Sequence, residues 1–338
     1  MTAGPRNWTV PELLQLSGSY WGACALHAAV RLDVFTRLAA GPATTDGLAA
    51  ALGAAPRGVE RLLEALAALG WVTRADGIWS ATPFAAQHLD RTSPGYVGHI
   101  ISHHHLLMDS WARLPEAVTA GAPVRERSSH IDDPHARESF LMGMYDLASR
   151  LGPQVAAAVD LGGRRRLLDV GGGPGTYAIH FCLANPGLAA VVCDLPTTRD
   201  FAERTIARHG LQERVAFVAA DFDDGPLPSG CDAAWLSHVL HGEGPAGAAA
   251  LLRKAAAAVG PGGLLLVQEF ILDDDRLGPP HPALFGLNML VGTPEGQSYS
   301  GAELAAMLRA AGGDDVRRLP VDLPNGAGIL AATVAAGG

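Results

Sequence analysis

The sequence predicts an α/β fold: a Rossmann-like, doubly wound sheet in the C-terminal half, preceded by a mainly α unit of winged-helix type. Three observations carry this expectation. Residues 166–175, R-L-L-D-V-G-G-G-P-G, run an apolar strand into a glycine-rich turn, and T-Y-A-I-H opens a helix behind it. Two further apolar runs, A-A-V-V-C and V-A-F-V-A-A, end in Asp194 and Asp221. Near the start, two short helical patterns lead into a hairpin centred on Asp76-Gly77, a strong turn signal.

At 338 residues the chain is too long for one ordinary domain and comfortable for two. Boundaries are expected at 1–95 for the winged-helix unit, 96–159 for a helical connector and 160–338 for the sheet. Residues 21–38 read as one amphipathic helix. Two helices separated by G-A-A-P follow, and V-T-R-A-D-G-I-W-S closes the unit as a hairpin. A winged helix could make the chain a DNA-binding regulator with a ligand-sensing C-terminal half. Its second helix, however, matches Arg57 and Arg61 with Glu60 and Glu64, and a charge-balanced helix is a poor major-groove reader. Within 96–159, one helix carries His99 and His103-His104-His105. Consecutive histidines point about 100° apart on a helix, so at most two of the three face one site.

In the glycine turn the acid comes first: Asp169-x-Gly171-x-Gly173-x-Gly175. A dinucleotide turn, G-x-G-x-x-G, spaces its glycines for a pyrophosphate, which a carboxylate here would repel. A carboxylate can instead take an ammonium or a ribose hydroxyl, and Asp194 at the next strand end can accept both ribose hydroxyls. Residues 231–241, an apolar helix at 246–259, the breaker G-P-G-G and a strand at 264–272 make a right-handed βαβ crossover. Its strands open on the crevice at which open α/β sheets bind ligands. Residues 300–312 start a helix with the capping box Ser300-x-x-Glu303.

Together the three strand ends resemble the class I S-adenosylmethionine (SAM) dependent methyltransferases. From 166 to 310 the chain resembles the small-molecule O-methyltransferases, the group of plant caffeate-type and bacterial natural-product enzymes. The resemblance implies SAM as cofactor, with Asp169, Gly171, Gly173 and Gly175 around its methionine portion. It implies Asp194 and Leu195 on the ribose, Asp221 and Phe222 near the adenine, and Ser237 at the same site. It puts the general base at His241, the last histidine of His238-Val239-Leu240-His241-Gly242-Glu243, where the family writes H-x-x-H-D-W. Glu269 matches the family's first supporting carboxylate. On the acceptor side the resemblance implies Phe140, Met144, Asn288 and Met289, and an acceptor that is a small, aromatic or polyketide-like metabolite, while His238 as a positioner and His105 from the histidine cluster are expected as further acceptor contacts. It also makes the N-terminal unit a dimerisation domain, extending to A-L-H-A-A-V-R-L-D-V-F at 25–35, so a homodimer is expected.

Three departures stand out. Gly242-Glu243 replace the family's Asp-Trp, Ser237 replaces a lysine four residues before the base, and Ser298 falls where a second supporting carboxylate is counted. An imidazole with an unperturbed pKa near ~6.5, oriented by one carboxylate, is suited to take the proton of an acceptor hydroxyl. His238 and His241, three apart, would share a face of a helical turn. That spacing also suits a metal, with His99 and His103–His105 as further ligands, although base plus positioner is preferred and no metal is expected. Methylation of carbon or nitrogen, and a relative that keeps SAM for structure alone, stay open as alternatives.

A net charge of −9 with 25 scattered basic residues offers no nucleic-acid surface, whereas an acidic cleft suits a sulfonium cation. Four cysteines (24, 182, 193, 231) lack paired spacing and read as buried thiols of a reducing compartment. The start, M-T-A-G-P-R-N-W-T-V, has no apolar signal core, and no run approaches the ~18 residues of a membrane span. A soluble cytoplasmic protein without membrane partners is therefore expected.

Overall fold

A computed structural model describes residues 7–335; the outermost residues of the expected domains, 1–6 and 336–338, and most of the residues read for a leader lie outside it. The chain divides into two compact units. One runs to Met108 and resumes over 132–146; the other comprises 109–131 and the chain from Leu147 onward. Residues 96–159, expected as a separate connector, are thus shared between the two.

The first unit contains α1 (Val10–Gly18), α2 (Tyr20–Arg31), α3 (Val34–Ala40), α4 (Thr45–Leu52), α5 (Pro56–Ala68), β1 (Val72–Ala75), β2 (Ile78–Ala81), α6 (Pro83–Leu89) and the start of α7 (Gly98–Ala112). The hairpin forms where Asp76-Gly77 predicts it, with φ of 49° and 81° at the two turn residues. The single helix expected over 21–38 is instead broken after Arg31. Asp33 adopts the left-handed conformation at φ 62°, which a short polar side chain tolerates. The break lets Ala29 and Val30 of α2 and Val34, Phe35 and Leu38 of α3 enter one core with Leu48, Leu63, Leu66 and Trp79. A straight rod would carry some of these residues past that core. α1 begins with a capping box between Thr9 and Glu12 yet buries none of its own residues.

In the second unit, α8 (Leu114–Ala120) and the end of α9 (Pro134–Ala158) precede the sheet. The succession is β3 (Arg166–Val170), α10 (Thr176–Ala184), β4 (Ala189–Asp194), α11 (Arg199–Arg208), β5 (Val215–Ala219), β6 (Ala233–Ser237), α12 (Pro245–Val259) and β7 (Leu264–Leu272). Then come α13 (Pro280–Gly292), β8 (Tyr299–Ser300), α14 (Gly301–Ala310), β9 (Gly313–Arg318) and β10 (Ala327–Val334). Strands lie in the order β5-β4-β3-β6-β7-β10-β9, with β8 paired to the end of β7. β3 to β7 are parallel, and β10 inserts antiparallel between β7 and β9.

Helices cover both faces of this sheet, which is why its strands read as unbroken apolar runs. Leu167 packs with Val192, Trp235 and Leu266 on one side, and its neighbour Leu168 packs with Val191, Ala234 and Leu265 on the other. The strand order reverses between β3 and β6, creating a switch point at their carboxyl ends. No helix among the described residues is long and apolar enough to cross a membrane.

Candidate active site

At the switch point, β3 ends and the chain turns through Gly171, Gly173 and Gly175, all left-handed at φ 62°, 54° and 77°. Glycine adopts such angles without strain. A Cβ on Gly171 would stand 2.7 Å from a methyl of Val239, whereas the space beyond Gly173 is open. Asp169 does not face that space. Its carboxyl, 1% exposed, lies beneath the turn, where it meets Gly172 and accepts the amide of Ala178 at 3.3 Å. Burial pushes its pKa up to about 7, with the nearby charge of Asp194 adding to the effect.

Asp194 closes the turn from β4. One oxygen accepts the amide of Gly173 at 2.7 Å; the other accepts the amide of Leu195 at 2.7 Å and the hydroxyl of Thr198 at 3.0 Å. Burial raises this carboxyl as well. Three donors fill most of a carboxylate's roughly four acceptor positions, so two ligand hydroxyls would have to share or displace them. After β5, Asp221 accepts the amide of Asp223, and Phe222 lies against Gly171. Lys254 pins this loop by donating to the carbonyls of Phe222 and Asp223 at 2.6 and 2.9 Å.

Across the switch point, β6 pairs with β7 in a register that sets Ser237 opposite Gln268. Glu269 therefore lies beside the chain leaving β6. The two histidines do not share a helical turn as expected, for only 240–242 form a short 3-10 turn. His238 precedes it in the left-handed conformation, φ 54°, and this reversal brings its ring back to within 5.9 Å of His241. Glu269, 1% exposed, accepts Nδ1–H of His241 at 2.7 Å through Oε2 and the backbone amide of His241 at 3.2 Å through Oε1. His238 Nδ1 stands 3.6 Å from the same Oε2. Burial works to raise the Glu269 pKa, but the charge and hydrogen bonds of His241 and His238 outweigh it and hold the carboxyl below the usual range. With Nδ1–H committed to an ionised acceptor, Nε2 of His241 keeps its lone pair.

His238, His241 and Glu269 are the one group among the described residues with metal-ligand proximity; His99 and His103–His105 do not form another. A metal binding Nδ1 and Oε2 at tetrahedral angles would hold them about 3.4 Å apart. The observed 2.7 Å is the length of a hydrogen bond.

The residues expected on the acceptor side divide between the units. Asn288 and Met289 lie on α13; Met289 is buried, and Oδ1 of Asn288 is shielded from solvent with no partner. One turn earlier, Phe285 meets the His241 ring edge-on at 4.7 Å. In the other unit, His105 meets His27 edge-on at 5.7 Å, Phe140 packs on His103 at 5.2 Å, and Met144 is half-buried. Ser298 donates to the carbonyl of Pro282 at 2.7 Å. Gln268, Tyr177, Arg125 and Arg127 carry no sequence signal. Gln268 is fully buried and donates to the Tyr177 hydroxyl at 3.1 Å beside His238. Arg127 pairs with Glu243 at 2.7 Å, just after His241. In the winged helix, Arg61 is engaged by Glu60 and Glu64 of its own helix at 3.0 and 2.9 Å.

Two family descriptions match this chain: an O-methyltransferase domain over 115–313 and an O-methyltransferase dimerisation domain over 14–91. The 3-hydroxy-5-methyl-1-naphthoate 3-O-methyltransferase of Streptomyces sahachiroi is 36% identical over 342 residues, covering 98% of this chain and 99% of its own. The chain belongs to the SAM-dependent O-methyltransferases. The tetracenomycin polyketide synthesis 8-O-methyl transferase of Streptomyces glaucescens is 35% identical, covering 93% of this O-methyltransferase and 94% of its own length. The structure of human N-acetylserotonin methyltransferase in complex with SAM superposes with a TM-score of 0.85 at 25% identity, covering 99% of this chain and 100% of that one. SAM is the cofactor of this O-methyltransferase. The glycine turn fits it: open space beyond Gly173 borders the Asp194 carboxylate at the carboxyl edge of the sheet.

Proposed function

We propose that this O-methyltransferase methylates a hydroxyl of an aromatic or polyketide-like small metabolite, with His241 as general base and Glu269 as the group that orients it. The observation that carries this is the 2.7 Å contact between Glu269 Oε2 and His241 Nδ1 beside the switch point. It fixes the tautomer that leaves Nε2 as proton acceptor. The negative carboxylate also stabilises the imidazolium formed when the hydroxyl proton arrives. When bound, SAM supplies an electrophilic methyl that an acceptor oxygen can take without covalent help from the protein. Gly171, Gly173, Asp194, Leu195 and Phe222 would hold it, with Asp169 bracing the turn from below and Asp221 and Ser237 at its margins. His238, Asn288 and Met289 are proposed acceptor contacts.

His241→Ala should bind SAM normally and lose about 10²–10⁴-fold in turnover. Release of S-adenosylhomocysteine from a panel of phenols and hydroxy-quinones measures this. Unimpaired turnover would remove His241 from the mechanism.

The dimerisation domain supports a homodimer, and the exposed side chains of α1 and α2 supply an apolar surface for it: Leu14 is 66% and Trp21 70% exposed. Four cysteines without disulfide partners suit a reducing, cytoplasmic setting.

A further inference from the structure

We propose that the acceptor of this O-methyltransferase carries a carboxylate and that Arg125 binds it. The inference rests on the hydroxyaryl acceptor of the preceding section and adds an anionic group to it. Arg125 lies in the segment after α8. The amides of Val124 and Arg125 both donate to the carbonyl of Val291, at 3.1 and 3.2 Å, fastening this segment to the end of α13. Arg113 holds the carbonyl of Val124 from the other side at 2.8 Å.

The guanidinium that results is a cation without a counter-charge. Its Nη1 donates to the carbonyl of Glu126 at 2.9 Å and to the hydroxyl of Ser128 at 3.0 Å, both neutral oxygens. Its Nε is shielded from solvent and has no partner. No carboxylate among the described residues pairs with it, whereas Arg127, two residues on, is matched by Glu243 at 2.7 Å. Arg125 is half-buried, which disfavours its charge, and burial lowers its pKa accordingly.

Its position points to what would satisfy it. A Cβ built on Gly292 would fall on the guanidinium, so Arg125 occupies the place of the side chain that Gly292 lacks. On α13, Phe285, Asn288 and Gly292 follow one another at three- and four-residue spacing and share a face. Phe285 touches the ring of His241 at 4.7 Å, so this face begins at the base. It continues to the unpartnered Oδ1 of Asn288 and ends at Arg125. From Phe285 to Gly292 is two helical turns, about 10 Å along the axis. A fused bicyclic acceptor spans that length with a hydroxyl at the base and an acid at the far end. The carboxylate would take the Nη2 end of Arg125, since both Nη1 hydrogens are donated and Nε is shielded.

The test compares 6-hydroxy-2-naphthoate with 2-naphthol, its counterpart without the acid. A charge-assisted pair of this kind should favour the acid about 10- to 100-fold in kcat/KM. Arg125→Gln should erase the preference by raising KM for the acid alone, and Arg125→Lys should retain part of it. Binding of S-adenosylhomocysteine, followed by thermal shift, establishes that each variant is folded; if Arg125→Gln is not, the wild-type preference and Arg125→Lys decide. A wild-type enzyme that methylates 2-naphthol as well as the acid overturns the inference and leaves the hydroxyaryl acceptor standing. Equal losses on both acceptors in Arg125→Gln also overturn it, by making Arg125 a structural strap. Turnover of neither compound, nor of any phenol in the panel, overturns the acceptor assignment together with the inference.

Discussion

Glu269→Gln separates an orienting carboxylate from a merely space-filling one. Both oxygens of Glu269 accept from the same residue, Oε2 from the imidazole Nδ1–H at 2.7 Å and Oε1 from the backbone amide at 3.2 Å. An amide has only one oxygen, so glutamine must turn its NH₂ toward one of these two donors. If the NH₂ faces the ring, His241 satisfies it only by moving its proton to Nε2, which removes the lone pair the acceptor needs. If the NH₂ faces the backbone, two N–H groups oppose each other in a site where Glu269 is 1% exposed, and the 240–242 turn must open. Either outcome also removes the negative charge that stabilises the imidazolium. A wrong tautomer in a comparable carboxylate–histidine pair costs about 10⁴-fold, and loss of a single charge-assisted hydrogen bond about 10–100-fold. The expected fall in kcat is therefore about 10²–10⁴-fold, with the Kd for S-adenosylhomocysteine unchanged. Single-turnover formation of methylated phenol, with calorimetry for the cofactor product, measures both. Since Glu269 acts through His241, the double variant His241→Ala/Glu269→Gln should be about as slow as His241→Ala alone. A kcat within a few-fold of wild type, or losses that multiply in the double variant, would refute this account.

Three other outcomes follow. The Asp169 pKa rises from 3.8 to about 7, so the folded state keeps a proton that the unfolded chain releases. Stability of the cofactor-free enzyme should therefore fall as pH rises from about 4 to about 7, by up to about 1.4 kcal/mol per pH unit. Asp169→Asn should flatten that dependence in urea titrations; parallel curves would assign the slope elsewhere. Arg127→Ala removes the 2.7 Å pair with Glu243 that flanks His241, and should cost about 1–2 kcal/mol in urea and a few-fold in kcat. Wild-type kcat in that variant would show that the strap does not position His241. Trp21→Glu places a charge on the exposed face of α2 and should yield monomers in sedimentation velocity, against the homodimer proposed for the wild type. An unchanged sedimentation coefficient would move the interface elsewhere.

Sequence alone was enough to place the α/β sheet, the winged helix with its Asp76-Gly77 hairpin and the glycine turn. Local rules set these features: an apolar run buried on both faces, glycines at φ values other residues avoid, and an acid at a strand end. Residues 231–241 and Glu269 were likewise visible as a histidine pair and a distant acid on adjoining strands. Their arrangement was not. The left-handed backbone at His238 and the β6–β7 register bring both rings onto one carboxylate, and register is a property of two strands together. Asp169 lies under the turn because α10 folds back over it, so its spacing in the chain did not reveal which way it faces. The place of β10 between β7 and β9 required the completed sheet edge. Arg125, Arg127 and Gln268 stayed silent for the same reason: an arginine or glutamine acquires a role only from the helix end, missing side chain or buried hydroxyl that the tertiary fold sets against it.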